Sequence, residues 1–359
     1  MSTLYVVVPS GVSDPARPSG GNTYDREVCA GLPGLGWAVS QREVAGRWPR
    51  ADHASRAALG SVLADIPDGS VVLLDGLVAS AVPEVLVPER RRLRLVVLVH
   101  LPLGHEPGAG EGAGDGADQR ARERAVLHAA VAVVVTSRWT REWLLTTYCL
   151  APGRVSVVPP GVAPAPVMPG CEPGLHLLCV GAVSATKGHD VLVAALADVA
   201  DLEWSCRCVG SVAVDPAFAT RVRARAGTTG LADRLTLTGP RVGGDLDAVY
   251  AAADLVLAPS RVETYGMAVT EALARGVPVI GSDVGGLPEA LGGPAGGRRP
   301  GILVPPGDPA PLAVALHRWL TDAGFRHDLR LGARERRETL DDWSLTTDRL
   351  SRVLSEVAA

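Results

Sequence analysis

The chain is 359 residues long, 47% hydrophobic and 21% charged, with a net charge of −4 and only 4% aromatic residues. That length predicts about two domains, with cores built mainly from Val, Leu and Ala. The acidic balance argues against a nucleic-acid-binding surface. No apolar run approaches the roughly 18 residues of a membrane span, and MSTLYVVVPSG lacks a signal-peptide pattern, so a cytoplasmic protein is expected.

In the first half, apolar strand-like runs fall at Leu4–Val8, Val71–Leu74, Leu93–Val99, Ala130–Val135 and Val155–Val158. Helical stretches lie between them near Thr23–Leu32, Ala54–Ala64, Asp118–Ala129 and Arg138–Thr146. This alternation predicts a parallel sheet covered on both faces. After the first strand, Pro18-Ser-Gly-Gly-Asn22 leads into a helix, and Gly20 and Gly21 let the backbone approach a ligand closely. It is not a dinucleotide G-x-G-x-x-G. The run Glu89–Arg94 lacks an interleaved aromatic and reads as a solvated loop rather than a membrane contact. His100 ends the strand RLVVLVH at its carboxyl end, where ligands bind in open α/β sheets; a histidine there is a site candidate or a satisfied core group. Pro107–Asp118, rich in glycine and acid, reads as a mobile loop: a tolerated insertion or a lid over an acceptor.

Pro159–Pro173 is too rich in proline for regular structure and reads as a linker. The expected domains are residues 1–160 and 174–340, with a closing helix over 341–359. Strands of the second half are expected at Leu175–Val180, Trp204–Val209, Arg234–Thr238, Leu255–Ala258, Val277–Ile280 and Gly301–Val304. Lys187 is the chain's one lysine, the other basic residues being arginine. It follows the strand LHLLCV and a glycine turn, before a helix from about Asp190, and its compact charge suits a diphosphate. In the closing segment Ser344 is the expected helix cap, with Leu350, Val353, Leu354 and Val357 on one face. The six cysteines, including Cys206 and Cys208 on one strand face, have no zinc-site spacing and are expected reduced and buried.

Ala253–Leu291 carries the most information. It reads as a buried strand, a Pro-Ser turn, a loop from Glu263 to Gly266, a helix bearing Glu271 and a second buried strand. A helix N-terminus presents free N–H groups to phosphate, and a carboxylate on each side suits the hydroxyls of two polyols. Phosphate between two polyols describes a nucleotide-sugar.

Glu263-Thr-Tyr-Gly-Met-Ala-Val-Thr-Glu271 resembles the E-x7-E signature of retaining glycosyltransferases of the GT-B fold, family 4. The ALARGVPVIGSDVGGLPE that follows resembles the same family's continuation. The resemblance is strong over the second half and diffuse in the first. It implies an α/β fold of two Rossmann-like doubly wound domains facing a cleft, with the C-terminal helix crossing back to the first domain. It places Glu263 at the donor hexose and Glu271 at the ribose hydroxyls, with the amides of Tyr265, Gly266 and Met267 along the sugar and diphosphate. Ala268, Gly181, Gly239 and Arg241 complete the implied donor set. The Lys187 segment resembles the family's G-R-x3–5-K-G phosphate loop, but the family's Arg falls on Ala182; Arg241 and Arg261 are candidate replacements. Gly20, Gly21 and Asn22 resemble the glycine-glycine loop near acceptor and phosphates, and His100 the histidine that contacts the sugar; His105 is a weaker candidate.

The implied activity is transfer of a hexose from a nucleotide diphosphate sugar, UDP before GDP, to a hydroxyl of a small soluble acceptor. Configuration is retained and no metal or other cofactor is expected. Glu263, His100 and Lys187 are the expected catalytic residues. Two alternatives stand: a relative with changed chemistry, such as a sugar phosphorylase or coupling enzyme, and a non-catalytic nucleotide-sugar binding module. The oligomeric state is not legible.

Overall fold

Leu177, Leu178 and Cys179 are consecutive and all buried, as are Val6, Val7 and Val8. Successive strand side chains point to opposite faces, so these strands must be covered on both, the condition of a parallel sheet. The computed structural model describes residues 2–105, 115–293 and 297–359 and holds two such sheets. The first contains β1 (Ser2–Pro9), β2 (Trp37–Val44), β3 (Val71–Asp75), β4 (Arg94–Val99), β5 (Ala132–Val135) and β6 (Val155–Val157). Its order is β2-β1-β3-β4-β5-β6, all parallel. The second contains β7 (His176–Val180), β8 (Ser205–Val209), β9 (Leu235–Gly239), β10 (Leu255–Ala258), β11 (Val279–Ser282) and β12 (Gly301–Val304). Its order is β12-β11-β10-β7-β8-β9, again all parallel. The fold is α/β with two doubly wound sheets, as expected.

The chain divides into two compact units, Met1–Ser13 with Gly20–Gly161 and Asp342–Ala359, and Asp14–Ser19 with Val162–Asp341. In each sheet the strand order reverses once, between β1 and β3 in the first and between β7 and β10 in the second. Crossover helices diverge at such a switch point and leave a crevice at the carboxyl ends of the strands.

The closing helix Trp343–Ala358 belongs to the first unit. Leu350 and Leu354 join the core on one face of that sheet, with Leu4, Val6, Leu73 and Val96. Trp37 Nε1 donates to Ser351 Oγ at 3.0 Å and Arg94 Nη1 to the Val357 carbonyl at 2.7 Å. The helix is capped by Asp342, whose Oδ1 accepts from Leu345 N–H at 3.0 Å. Ser344, the expected cap, instead donates its hydroxyl to the same oxygen at 2.6 Å. The shorter-armed competitor lies inside the first turn, where it supports the carboxylate.

Other expectations need correction. The strand β2 was not foreseen: it lies at the sheet edge and Gln41, Arg42 and Glu43 in its second half are exposed, so it has no continuous apolar signature. The strand expected at Val277–Ile280 runs instead over Val279–Ser282, because Pro278 cannot donate to a ladder. Cys179, Cys206 and Cys208 are buried, but Cys149 and Cys171 are exposed. Within Glu89–Arg94, Arg92 is not simply solvated: it donates to the Ile66 and Leu63 carbonyls at 2.7 and 2.6 Å. The loop expected at Pro107–Asp118 falls, as far as residue 114, outside the described residues. Among those described, no helix is long and apolar enough to cross a membrane.

The proline-rich stretch has no regular structure, but from Val162 onward it is held to the second unit. Met168 N–H donates to the Arg275 carbonyl at 2.8 Å, and Arg337 Nη2 to the Ala165 carbonyl at 3.0 Å. Where this stretch ends, Trp319 is fully buried and its indole donates to the Gly174 carbonyl at 2.8 Å. Trp319→Ala should destabilise the second unit by about 3–5 kcal/mol. Trp319→Phe, which keeps most of the volume but orphans the carbonyl, should cost about 1–3 kcal/mol. Urea unfolding followed by far-UV circular dichroism checks both, and equal midpoints for the two variants would show that the hydrogen bond, not the volume, dominates.

Candidate functional site

The second unit's switch point is built by the loops that leave β7, β10 and β11, three neighbours in the sheet. After β7 the chain turns through Gly181 to Lys187 and Gly188, which opens the helix His189–Ala197. After β10 it passes Pro259 and Ser260 to Glu263 and Gly266, which opens the helix Met267–Ala274. Arg261 N–H donates to the Thr186 carbonyl at 2.8 Å, joining the first two loops. Gly286 N–H donates to the Glu263 carbonyl at 2.9 Å, joining the third. Both junctions are too close for a side chain. A Cβ on Gly188 would overlap the Pro259 carbonyl oxygen and one on Gly285 the Glu263 carbonyl oxygen, and both residues have positive φ, +69° and +58°.

This stitching fixes the backbone of Glu263 on both sides. Its carboxylate meets Lys187, with Nζ to Oε2 at 2.6 Å, and Ser260 Oγ lies 3.4 Å from the same oxygen. The two charged side chains are 34% and 15% exposed, so the pair is reachable but partly desolvated. Sequence reasoning gave Lys187 to phosphate and Glu263 to sugar; the structure brings the two together. Gly266, with φ +103°, then opens its helix. Met267 and Ala268 form the first turn, and Tyr265 stands half-buried just before it.

Glu271 lies further along that helix. Its Oε2 accepts from the Tyr250 hydroxyl at 2.7 Å, and the same hydroxyl lies 3.3 Å from the Ala268 carbonyl. The Arg275 guanidinium stacks over the Tyr250 ring at 4.7 Å and donates to the Glu271 carbonyl at 2.9 Å. Burial pushes the Glu271 carboxyl above the usual range, against the pull of Tyr250 and Arg275. Sequence reasoning did not name Tyr250 or Arg275. The available signal was a single aromatic in the otherwise aliphatic and acidic helix GDLDAVYA.

Of the remaining donor candidates, Gly181 has φ +151° and lies against the Lys187 side chain, with room for a Cβ no closer than 3.5 Å to Cδ. Gly239 closes β9 with φ +77°, and its carbonyl accepts from Gly210 N–H at 3.1 Å. Gly239 ends the edge strand β9, two places from β7, and the exposed Arg241 follows it. Arg261, a candidate replacement for the arginine missing at Ala182, already has a partner. It is tied to Asp190 by two hydrogen bonds of 2.7 Å; against the opposing effect of burial, these hold the Asp190 carboxyl below its ordinary range.

In the first unit, Gly20, Gly21 and Asn22 form the first turn of the helix Gly20–Gly31 rather than the loop expected there. Gly21 does support a close approach, but to His100: its Cβ would stand 3.0 Å from His100 Cδ2. His100 Nε2 meets Asp25 Oδ1 at 3.0 Å, and its ring lies edge-on to Tyr24 with centroids 5.3 Å apart. His105 is elsewhere, edge-on to Trp139 and Trp143 at 4.8 and 5.3 Å. Burial, with the Arg120 charge, lowers its pKa.

Cys179, His189 and Cys208 also gather, as do Cys171, His176 and Asp254. Both groups are joined internally: Cys179 Sγ lies 3.8 Å from His189 Nε2, and Asp254 accepts from the Cys171 and His176 amides at 2.6 and 3.0 Å.

Comparison with known proteins bears on the family and the fold. Residues 174–322 match the family described as glycosyl transferases group 1, and residues 71–165 match glycosyltransferase family 4. A D-inositol 3-phosphate glycosyltransferase of Salinispora arenicola is 33% identical over 240 residues, which cover 60% of this chain and 52% of the relative. The chain thus spans about half the length of the curated relatives it matches. Among solved structures, sucrose-phosphate synthase from Thermosynechococcus elongatus superposes with a TM-score of 0.80 at 23% identity, covering 99% of both chains. Anabaena Alr3699/HepE in complex with UDP-glucose gives 0.77 at 17% identity, covering 99% of this chain and 100% of that one. At those identities the likeness is one of fold. With a glycosyltransferase family matched in each half and the fold shared along its length, the chain belongs to the GT-B glycosyltransferases.

Proposed function

We propose that this chain moves a hexose from a UDP-sugar to a hydroxyl of a small polyol acceptor, with retention of configuration and without a metal ion. The observation that carries the reading is the Lys187–Glu263 pair at the second unit's switch point, with Glu271 on the helix that opens at Gly266. An ammonium has three N–H donors. With one given to Glu263, two remain for diphosphate oxygens, and the charge offsets that of the leaving group. Glu263, neutralised by Lys187 and fixed by its backbone, orients the hexose hydroxyls. Glu271 takes the ribose hydroxyls beside Tyr250. The bond from the anomeric carbon to the diphosphate breaks, the acceptor oxygen bonds to that carbon on the same face, and the acceptor proton ends on the departing phosphate. The acceptor falls to the first unit, where His100 stands at the end of β4. UDP-glucose in the Anabaena relative and inositol phosphate in the names of the curated relatives are the donor and acceptor to test first.

A second reading has one observation in its favour. With Ala182 in place of arginine and Arg261 tied to Asp190, the phosphate loop offers less charge than the family pattern. A phosphorylase, with inorganic phosphate as acceptor, is the form this takes; sugar 1-phosphate among the products would identify it.

Thermal-shift titration with UDP, GDP, ADP and dTDP tests the donor site, and stabilisation by UDP above the others is expected. In calorimetry, Lys187→Ala and Glu271→Ala should each weaken UDP binding by about 1.5–3 kcal/mol, the range for a charge-assisted hydrogen bond. Glu263→Ala should leave UDP affinity undiminished, because it frees Lys187, while lowering turnover of UDP-glucose. Loss of UDP affinity in that variant instead would mean that the two carboxylates have exchanged roles.

A pH dependence follows from Glu271. Its raised pKa means that it protonates at a higher pH than an ordinary carboxyl, and a protonated group accepts fewer hydroxyl bonds. UDP affinity should therefore fall as pH drops from neutral into the weakly acidic range. Glu271→Gln should bind more weakly at pH 7.5 and lose most of that dependence; an unchanged profile would remove Glu271 from the ribose site.

A further inference from the structure

The first unit's own switch point, between β1 and β3, holds a charge cluster assembled from three elements. Asp25 lies on the helix after β1, Asp75 at the end of β3, and His100 just past the end of β4. A carboxylate oxygen of each aspartate and a ring nitrogen of His100 all lie within 4.8 Å of one another. Asp25 is 3% exposed and Asp75 5%. Asp75 Oδ1 accepts from Leu77 N–H at 2.7 Å. Asp25 Oδ1 meets His100 Nε2 at 3.0 Å, while its buried Oδ2 has no hydrogen-bond partner. The imidazole is thus held on three sides: by Asp25 at Nε2, by the Gly21 backbone at Cδ2 and by the Tyr24 ring.

We propose that Asp25, backed by Asp75, is a positioning residue that locks the His100 ring in one orientation and keeps it an imidazolium, so that His100 meets substrate as a cationic donor and not as a base. The inference rests on the glycosyl-transfer reading for what His100 does, but not for its charge state. Two buried carboxyls against one imidazole leave a net negative environment, in which a neutral ring would abandon Asp25 to an uncompensated buried charge. The other titratable groups around the cluster do not supply the balance. Burial pushes Cys29 up to about 12 and Tyr24 well above the phenol range, so both stay neutral, and Arg349 on the closing helix acts on Tyr24. Burial alone would lower the imidazole; Asp25, and behind it Asp75, more than reverse this and raise His100 to about 9. Burial and the Asp25 charge push Asp75 up to about 6. The imidazolium therefore persists across the neutral range, and a donor held this way would hydrogen-bond a sugar hydroxyl or phosphate oxygen without removing an acceptor proton.

The test is ¹⁵N NMR titration of the histidine rings in the full-length protein, with His100→Asn to identify the signal. No substrate is needed, so the result stands whether or not the transfer reading does. In the unsubstituted protein His100 should remain protonated at pH 8 and titrate near 9. In Asp25→Asn its midpoint should fall by more than one pH unit, and Asp25→Glu should restore part of the shift. Asp75→Asn should lower it less. UDP-glucose turnover in Asp25→Asn should drop at least about tenfold, with KM for UDP-glucose little changed. A neutral His100 at pH 7.5 in the unsubstituted protein would overturn the proposal, as would a midpoint unmoved by Asp25→Asn. Should Asp25→Asn fail to fold, the unsubstituted protein and Asp75→Asn decide by the same criteria. If the titration behaves as expected while UDP-glucose is never consumed, the transfer reading fails and the cluster assignment survives.

Discussion

Everything at the second switch point depends on how closely three loops approach one another. Backbone meets backbone at Gly188 and at Gly285, in conformations and spaces that admit no side chain. The hydrogen bonds from Arg261 N–H and Gly286 N–H then clamp the segment carrying Glu263 from both sides. A carboxylate on so rigid a base can hold the Lys187 ammonium at 2.6 Å while both remain partly exposed. Such a pair would be weak on a flexible surface, where side-chain entropy consumes most of its Coulomb energy. Here most of the ordering is done by the fold before any ligand arrives, which is the condition for preorganised electrostatics.

The two units repeat one architectural idea with different chemistry. In each, the strand order reverses once, and the charged side chains discussed above follow strands at or beside the reversal. In the second unit the outcome is an accessible ion pair beside a helix N-terminus. In the first it is two buried carboxyls against a partly exposed imidazole, flanked by Gly21 and Tyr24. The same parallel topology therefore carries an exposed ion pair in one unit and a carboxyl-imidazole cluster in the other, according to what the crossover loops supply.

Much of this was legible in the sequence because strands buried on both faces read as uninterrupted apolar runs. Leu255–Ala258 and Gly301–Val304 were placed at their observed bounds, and Lys187 stood out as the one lysine of the chain. What escaped did so for identifiable reasons. The strand β2 has a polar, exposed second half because it is an edge. Tyr250 and Arg275 act through side-chain stacking that no spacing rule announces. Asp25 and Asp75 are far apart in the chain and meet only because β1 and β3 are neighbours in the sheet. Gly21 does permit a close approach, but the partner the structure gives it is the His100 ring.

The closing helix has a consequence for how the protein is made. The second unit is almost entirely one continuous stretch, Val162–Asp341, whereas the first needs Asp342–Ala359 to be whole. Until that last segment leaves the ribosome, Leu4, Val6, Leu73 and Val96 lack the Leu350 and Leu354 that share their core, and Trp37 lacks its Ser351 acceptor. The part synthesised first is thus the part finished last. Until Asp342–Ala359 has been added, a nascent chain carries an open apolar sheet face, the kind of surface on which chaperones act and aggregation begins.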